Sequence, residues 1–353
     1  MQMRKTSRVD RRRVLLAGAA LALFLAGGAP LGAQQSSDNE GFLVGVLLKT
    51  WTLRERTVAD IQMNDQEIVA NNRLIEEADK RMSNAQETFN DQEIFAARDP
   101  LMKARAAGRK LKQARARLEL AKTRAEATIA AVRNLLVSGQ AKGLDSPICG
   151  LAFLHSGKVK IVKKDGRKVE LDSRRPGFLG PGDELMTMGG SSAEVQVVDG
   201  LAAVQLGEHS RFKLEEVNPQ EQVPQLLQGK IYCNVDKPAD FAAMLEAGAG
   251  HFEADPDVKE TIARNKDRIK ERTDKKFIVR TPGACGSVNG TKFTMALMKG
   301  EGTEIAVLEG EVNAGNAECA QAVLVEHGFK VIVTKDSISE PQKVVEADKW
   351  WEK

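Results

Sequence analysis

Apolar residues recur every seven positions in two blocks between residues 50 and 138, a stretch with one proline and one glycine. This spacing places the apolar residues on one face of an α-helix, and the composition favours helix. The first block consists of Ile61, Ile68, Ile75, Met82, Phe89 and Ala96. The second has two rows three residues apart, Ala104, Leu111, Leu118, Ala125 and Val132, and Ala107, Ala114, Ala121, Thr128 and Leu135. The pattern predicts an antiparallel coiled-coil hairpin over residues 43–138.

The two blocks are separated by Asp99-Pro100. Asp is a favoured N-cap, Pro is tolerated at the first helical position, and the residue before Pro is driven out of the helical region. We therefore expect the chain to turn at Asp99-Pro100. Asn64 and Asn71 fall at seam positions, where a buried Asn weakens packing and can fix the register of the helices.

Opposite charges support pairing of the two helices. Residues 51–99 hold eleven acidic and six basic side chains, and residues 101–138 hold two acidic and ten basic ones. Each exposed ion pair contributes only about 0–1 kcal/mol, so charge selects the partner more than it stabilises the pair. Binding of anionic lipid or a polyanion by the basic helix is an alternative, and so is a coiled coil between chains.

Beyond Ser156 the pattern changes to short apolar runs punctuated by Gly and Asp, typical of β-strands. Runs at 159–162 and 169–171 flank Asp165-Gly166, and runs at 193–198 and 201–206 flank Asp199-Gly200, which are two hairpin signals. Further runs lie at 212–214, 229–233, 277–279, 292–295, 304–308, 322–325 and 330–333. The series predicts a sandwich, barrel or β-helix-like stack over residues 151–335.

Two predicted helices, Ala239–Ala247 and Asp257–Arg272, interrupt the strands, so residues 238–276 are interpreted as an insertion on a loop. The tail, residues 336–353, is predicted to end in a short helix with Trp350 and Trp351, which either form an interaction surface or dock on the β domain. The predicted fold is α+β and multidomain, with a coiled-coil hairpin followed by an all-β domain with a helical insertion.

Residues 1–33 have the parts of an export signal: a basic start, an apolar segment over 14–26, and Leu31-Gly32-Ala33 as a cleavage site before Gln34. Arg11-Arg12-Arg13 fits a twin-arginine signal, and the general and twin-arginine routes both remain open. We expect a periplasmic or otherwise exported protein. The alternative is an uncleaved segment that anchors the chain in the inner membrane, because residues 14–33 approach the roughly 20 residues that a spanning helix needs.

The net charge changes once this segment is set aside. The full chain has a net charge of +3, and residues 1–33 hold six basic residues and one acidic residue, which leaves −2 for the remainder. The basic character therefore belongs to the signal, and nucleic-acid binding is not expected. Four cysteines follow the signal, and an exported chain with an even number can form disulfides in three connectivities. The candidates are Cys149, Cys233, Cys285 and Cys319, with buried free thiols as the alternative.

Motifs for catalysis or cofactors are weak. The glycines of residues 283–290 are spaced loosely like a phosphate-binding loop, but the Gly-Lys-Ser/Thr ending is missing. The four histidines and the four cysteines lack metal-binding spacing, and no acidic pair can be singled out for acid–base chemistry. Asn289-Gly-Thr291 is a glycosylation sequon, interpreted as coincidental. The sequence therefore predicts no catalytic residue, no cofactor and no metal.

Several short motifs between residues 157 and 335, taken in order, resemble the FecR-like periplasmic domain. They are Gly157-Lys-Val, Leu179-Gly-Pro-Gly-Asp-Glu-Leu-Met-Thr187, Ser191-Ser-Ala-Glu-Val195, Asp199-Gly200, Leu227-Gln-Gly-Lys230, Thr281-Pro282, Gly290-Thr291 with Phe293, and Val307-Leu-Glu-Gly-Glu-Val312. The motif residues for which the resemblance implies structural roles are Gly182, Asp183, Thr187, Thr281, Pro282, Gly290, Thr291, Phe293 and Gly310.

The chain departs from that family in three respects. Asn289 stands where the family commonly has Arg, residues 238–276 are additional, and the hairpin is atypical of members that regulate a sigma factor. Those members carry a cytoplasmic helical domain before a membrane span, whereas the residues before Val14 are too few to fold. A direct anti-sigma role is therefore not expected.

The predicted function is that of a non-enzymatic envelope protein. Its FecR-like domain would serve as a recognition or scaffold module, and its hairpin would bind another envelope protein or mediate self-association. Fold resemblance alone does not assign function. A membrane-anchored sensor or signal-transduction subunit is the main alternative, and an enzyme acting on carbohydrate or peptidoglycan is a third.

Overall fold

The computed structural model describes residues 31–353 apart from 89–90, 141–146, 174, 219–220, 274–275, 299, 301, 320, 345–348 and 353. The predicted α+β organisation is confirmed: two long helices are followed by a large β region in two sheets, with two further helices inserted. The helices are α1 (Leu31–Glu87), α2 (Asp91–Val137), α3 (Pro238–His251) and α4 (Pro256–Thr273). Most of the predicted signal peptide, residues 1–30, lies outside the described residues, and Leu31–Ala33 form the start of α1.

Eighteen strands are present among the described residues. They are β1 (Gly150–Ser156), β2 (Val159–Val162), β3 (Lys168–Glu170), β4 (Gly177–Leu179), β5 (Glu184–Thr187), β6 (Ser192–Val197), β7 (Ala202–Leu206), β8 (Arg211–Asn218), β9 (Glu221–Gln228), β10 (Lys230–Val235), β11 (Phe277–Arg280), β12 (Ala284–Val288), β13 (Lys292–Leu297), β14 (Thr303–Glu309), β15 (Glu311–Asn316), β16 (Ala322–Glu326), β17 (Phe329–Val333) and β18 (Gln342–Lys343).

The strands form two nine-stranded sheets between which the chain alternates. One sheet has the order β18-β17-β14-β13-β10-β7-β6-β1-β4, and the other β16-β15-β12-β11-β9-β8-β5-β2-β3. From β6 onwards the chain places one or two strands in one sheet and then crosses to the other. Both Asp-Gly hairpins occur as predicted, joining β2 to β3 and β6 to β7. Phe212 on β8 and Phe293 on β13 are fully buried, one from each sheet.

Helices α1 and α2 form the predicted antiparallel hairpin, called the arm below, but the predicted turn at Asp99-Pro100 is wrong. Helix α1 ends at Glu87 and α2 begins at Asp91, so Pro100 lies within α2. Asp91 and Glu93 place negative charge in the first turn, which stabilises a helix N-terminus there. Pro100 is on the exposed face, whereas Ala97 and Leu101 on either side of it are buried. Packing along the seam thus outweighs the roughly 3 kcal/mol cost of an interior proline.

The predicted seam row of Ala107, Ala114, Ala121, Thr128 and Leu135 is wrong at Ala107 and Ala121, which are exposed, whereas Thr128 is buried. The partly or fully buried rows on α2 are 97, 104, 111, 118, 125 and 132, and 94, 101, 108, 115, 122, 129 and 136. The seam therefore continues four residues after Ala104, at Gly108, and leaves Ala107 and Ala121 exposed. A glycine suits position 108, because a Cβ there would lie 2.8 Å from the side-chain nitrogen of Asn71 and crowd it. That nitrogen donates to the carbonyl oxygen of Ala104 at 3.0 Å, as expected of an Asn that fixes register.

The insertion is helical, as predicted, and connects β10 to β11 through α3, a short 3₁₀ segment at Phe252–Ala254 and α4. It does not project as an isolated loop. Both α3 and α4 pack against the N-terminal part of α1. In the tail, the ring of Trp351 stacks on Tyr232 of β10, with 4.8 Å between ring centroids. Of the two interpretations of the tryptophans, docking onto the β domain is the one observed.

Candidate functional site

The base of the arm is enclosed by the β domain. Residues 42–48 of α1 are buried on every side of the helix, and they include Phe42, Leu43, Val44 and Leu47. A helix that is apolar all round belongs inside a core. It is surrounded by α3, α4 and the turn at Val198–Gly200 between β6 and β7. We call these three surrounding segments the clasp.

A buried ion pair fixes the arm within the clasp. The side chain of Lys49 is 3% exposed, and its Nζ lies 2.7 Å from a carboxylate oxygen of Asp236, which follows β10. The same Nζ donates to the carbonyl oxygen of Gly200 at 2.5 Å. Burying an ammonium group is costly unless it is paired and hydrogen-bonded. Lys49 therefore ties the position of α1 to β10 and to the β6–β7 turn at once.

Two glycines allow the backbones to meet. A Cβ at position 45 would overlap the carbonyl oxygen of Asp199, and a Cβ at position 248 would lie 2.9 Å from the carbonyl oxygen of Leu48. Gly45 thus permits contact between α1 and the β6–β7 turn, and Gly248 permits contact between α1 and α3. Larger residues would force these elements apart.

Polar and aromatic contacts complete the clasp. Thr52 donates from Oγ1 to the carbonyl oxygen of Met244 at 3.0 Å, and the ring of Trp51 stacks on His251 with 4.3 Å between centroids. From α2, Arg133 donates to a carboxylate oxygen of Asp255 at 2.6 and 2.8 Å. This contact holds the pKa of Asp255 below its ordinary value. Both helices of the arm are therefore attached to the insertion.

A titratable contact lies on another side of the arm base. Arg124 of α2 donates to the carbonyl oxygen of His155 at 3.3 Å, at the end of β1. The Nε2 atom of His155 lies 3.9 Å from a carboxylate oxygen of Glu194. Burial lowers the pKa of His155, Glu194 opposes that shift, and Arg124 adds to it. The histidine is therefore favoured in its neutral form.

The sequence-predicted motif residues act mainly within turns. The buried carboxylate of Asp183 accepts hydrogen bonds from the backbone nitrogens of Gly180 and Lys164 at 2.8 and 2.9 Å, and from Lys163 Nζ at 2.7 Å. Its neighbour Gly182, at a φ of 82°, donates to the carbonyl oxygen of Leu214. These contacts hold the turn before β5.

The threonines of the motifs have similar roles. Thr187 donates to the carbonyl oxygen of Gly207 at 2.6 Å and accepts from the backbone of Ser210 at 2.8 Å. Thr281 shares a hydrogen bond of 2.8 Å with Thr303 and accepts one from the backbone of Ala284. Thr291 donates to the carbonyl oxygen of Glu311 at 2.8 Å. Because these hydroxyls are satisfied internally, they are not free to act on a ligand.

Two motif glycines, Gly290 and Gly310, lie next to each other in space. Gly290 and Gly310 have φ values of 79° and 80°, in the region that favours glycine. A Cβ at position 290 would overlap Lys237, and a Cβ at position 310 would lie 2.9 Å from the carbonyl oxygen of Gly290. Phe293, three residues on, is fully buried in the sheet core.

Pro282 is a motif residue that faces solvent. It lies with Gly283, Leu297, Met298 and Lys335 in an open groove of about 460 Å³ at one end of the β domain. Among the described residues that line the groove, Lys335 is the single charged side chain, and these residues do not assemble the proton donor and acceptor pair that acid–base catalysis requires.

The cysteines divide into one pair and two thiols. Cys285 on β12 is bonded to Cys319, in the turn between β15 and β16, with 5.7 Å between Cα atoms. A disulfide is therefore confirmed, but a second one between Cys149 and Cys233 does not form, and both are buried thiols. Cys149 precedes β1, which is three strands from β10 in the sheet. That separation is about 14 Å, beyond the reach of a disulfide. Burial raises the pKa of Cys233, so its thiolate is disfavoured.

Within the described part of the chain, no group of three or more His, Cys, Asp or Glu side chains could hold a metal ion. The described helices also include none that is both long and apolar enough to cross a membrane.

The clasp was not identified from the sequence. Lys49 and Asp236 were assigned no role, and Asp199-Gly200 was predicted only as a hairpin turn and a FecR-like motif. One signal was present, because residues 41–48 contain no polar side chain. Such a run at the start of a coiled-coil helix indicates a segment buried on all sides.

No protein-family model matches the chain, and no curated protein matches it. Two solved structures of "a putative anti-sigma factor" from Parabacteroides distasonis ATCC 8503, at 1.65 and 2.50 Å resolution, are similar to part of it. Each is 18% identical, with a TM-score of 0.30. The match covers 45% of this chain and 59% of that protein, less than two thirds of its length.

Proposed function

We propose that this chain is an exported, non-enzymatic protein of the cell envelope, with a FecR-like β domain that acts as a recognition or scaffold module. The arm serves to bind a partner. The observation that carries the proposal is the enclosure of residues 42–48 by the clasp, with Lys49 paired to Asp236. Because its base lies in the core of the β domain, the arm is held at a fixed position relative to the sheets. A force on the arm would therefore be transmitted directly to the sheets.

The chemistry of the chain supports a binding role. The threonine hydroxyls of the FecR-like motifs are used within turns, and the described residues that line the groove at Pro282 include one charged side chain. The disulfide between Cys285 and Cys319 suits an oxidising compartment, which is where the N-terminal export pattern would send the chain. The proposed compartment is the periplasm, and the proposed partners are other proteins.

A membrane-anchored sensor is the second candidate. Helix α1 begins at Leu31 and runs without a break through Ala33-Gln34, the predicted cleavage site. An uncleaved N-terminal segment would therefore continue directly into the arm and connect a membrane anchor to the clasp.

The mass of the protein recovered from periplasmic and membrane fractions distinguishes these candidates. The sample is denatured and alkylated without reductant. A soluble protein that starts near Gln34 and carries two alkyl groups, on Cys149 and Cys233, supports the exported module. A membrane-bound protein that retains residues 1–33 supports the sensor. A cytoplasmic protein with four alkylated cysteines would contradict both.

A further inference from the structure

One side of the arm carries an open groove between α1 and α2. A cavity of about 430 Å³ is lined by Asp60, Met63, Asn64 and Glu67 of α1 and by Ala114, Arg117 and Leu118 of α2. The seven-residue repeat extends the same walls along the arm, to Ala70, Leu74 and Glu77 on α1 and to Lys103, Ala107, Lys110 and Ala121 on α2. Positions 103–121 correspond to about 27 Å of helix.

The residues along this groove expose more apolar surface than a two-helix hairpin requires. Met63 and Leu74 are 57% and 58% exposed, and Ala107 and Ala121 are also exposed. These alanines form a third apolar row on α2, beside the two rows that pack on α1. A helix with three such rows has a face wide enough to contact two neighbouring helices. The small alanine side chains would let a third helix approach closely.

The charged residues of the groove have no partners inside the described protein. Asp60, Glu67 and Glu77 on the α1 wall, and Lys103, Lys110 and Arg117 on the α2 wall, make no ion pair or hydrogen bond among the described residues. The other side of the arm is different, because there Arg105 pairs with Asp79 at 3.0 Å and Arg115 with Asp65 at 2.6 Å. The groove thus presents one acidic wall and one basic wall to an outside partner.

Nearer the base, the same side of the arm is already an interface. Thr128 continues the row of Ala107, Ala114 and Ala121 and is 5% exposed, and Arg124 continues the row of Arg117 and contacts His155 of the β domain. The row is therefore buried at Thr128, near the contact between Arg124 and β1, and exposed at Ala107 and Ala121 farther along the arm.

We infer that the groove binds one amphipathic α-helix, of about 18 residues, supplied by a partner protein. Its apolar stripe lies on Met63, Leu74 and the alanine row. Its acidic edge faces α2 and its basic edge faces α1. Reversing a helix exchanges its two edges, so this charge pattern also sets the direction of the bound helix. The inference rests on the proposed function and specifies the partner's chemistry.

A second copy of this chain fits less well. In a two-fold pair with antiparallel arms, acidic α1 would face acidic α1 and basic α2 would face basic α2. In a two-fold pair with parallel arms the charges would match, but β1 already contacts this side of the arm at Arg124, where the second arm would have to lie.

The test uses full-length protein and a fluorescent synthetic helix of three heptads, with leucines on one stripe, glutamates along one edge and lysines along the other. Fluorescence anisotropy at low salt measures its binding. Ala114→Glu, in the groove, should weaken binding at least tenfold. Ala116→Glu, on the outer side of the same helical turn, is the matched control and should bind like the wild type.

A second variant guards against loss of folding. Lys110 and Arg117 are exposed and make no ion pair among the described residues. Lys110→Glu/Arg117→Glu should therefore keep the helical circular dichroism signal and still lower the affinity for the peptide at least tenfold. A peptide with lysines on both edges should bind wild type more weakly, and the difference should shrink as salt rises.

The inference is overturned if the peptide fails to bind, or if the groove variants bind as tightly as Ala116→Glu. It is also overturned if sedimentation shows a dimer of the wild type that only the groove variants dissociate, because the occupant is then a second copy. Either of these results would leave the proposed function standing, provided that the protein is recovered exported and with its disulfide formed. Recovery of a reduced cytoplasmic protein would remove the proposed function whatever the peptide does.

Discussion

Lys49 of the arm and Asp236 of the β domain form an ion pair of 2.7 Å, although 187 positions separate them in the sequence. The lysine side chain is almost completely buried, whereas the aspartate is 21% exposed. Removing the aspartate alone leaves a buried ammonium without its counter-charge. Asp236→Asn should therefore reduce the free energy of unfolding by about 3–5 kcal/mol.

A double-mutant cycle isolates this pair. Lys49→Met/Asp236→Asn removes the buried charge together with its partner and should be more stable than Asp236→Asn alone. Urea denaturation of the wild type, Lys49→Met, Asp236→Asn and the double variant measures the coupling free energy between the two side chains. If the two single losses simply add in the double variant, the pair does not hold the arm in the clasp.

Two glycines of α3 should respond in opposite ways to the same substitution. Gly248→Ala places a Cβ 2.9 Å from the carbonyl oxygen of Leu48, so it should cost about 1–3 kcal/mol as α1 and α3 separate. A Cβ at Gly250 meets nothing within 4 Å, so Gly250→Ala should raise stability by up to about 1 kcal/mol through helix propensity. Thermal unfolding of both variants is the measurement. A stabilised Gly248→Ala would show that α3 is not in contact with α1.

The sequence predicted the arm better than it predicted where the arm turns. The seven-residue repeat identified both helices, because a coiled-coil seam repeats at that spacing. The prediction placed the turn at Asp99-Pro100 because this pair is a local helix-start signal. Packing along the whole seam outweighs that signal, since the buried residues Ala97 and Leu101 continue the seam past the proline. The row of Ala107, Ala114 and Ala121 was assigned to the seam because it is apolar, and composition does not reveal which of two adjacent apolar rows faces the partner helix.

The β domain was predictable for a similar reason, and the clasp was not. Strands with flanking Asp-Gly turns are local patterns, so most were recognised. The clasp depends on α1, the β6–β7 turn and the insertion between β10 and β11 meeting in space. A single sequence without covariation carries no direct signal for such contacts. The disulfide shows the same limit, because spacing left three connectivities open.

Reduction of the disulfide should destabilise the protein. Cys285 and Cys319 are 34 positions apart, and closing a loop of that size contributes about 2–4 kcal/mol. Dithiothreitol should therefore lower the urea midpoint of the wild type. Cys285→Ala/Cys319→Ala should start from the lower midpoint and not respond to dithiothreitol. A wild-type midpoint that reductant leaves unchanged would contradict this contribution.

Stability should fall in mild acid through His155. Burial lowers its pKa below the ordinary value of 6.5, so the unfolded chain takes up a proton at a higher pH than the folded protein does. The free energy of unfolding should therefore decrease as pH falls through about 6.5 towards the lower folded-state pKa. His155→Gln should flatten this part of the curve. Equal slopes for wild type and variant between pH 7 and 5 would show that His155 does not contribute.

Hydrogen exchange followed by mass spectrometry tests whether the arm is rooted in the core of the β domain. Peptides covering residues 42–48 should exchange as slowly as those covering β7 and β10, and more slowly than peptides at the turn end of the arm. Asp236→Asn should accelerate exchange in residues 42–48 and β10 together. Fast exchange of residues 42–48 while the sheets stay protected would show that the arm is only loosely attached and is not part of the core.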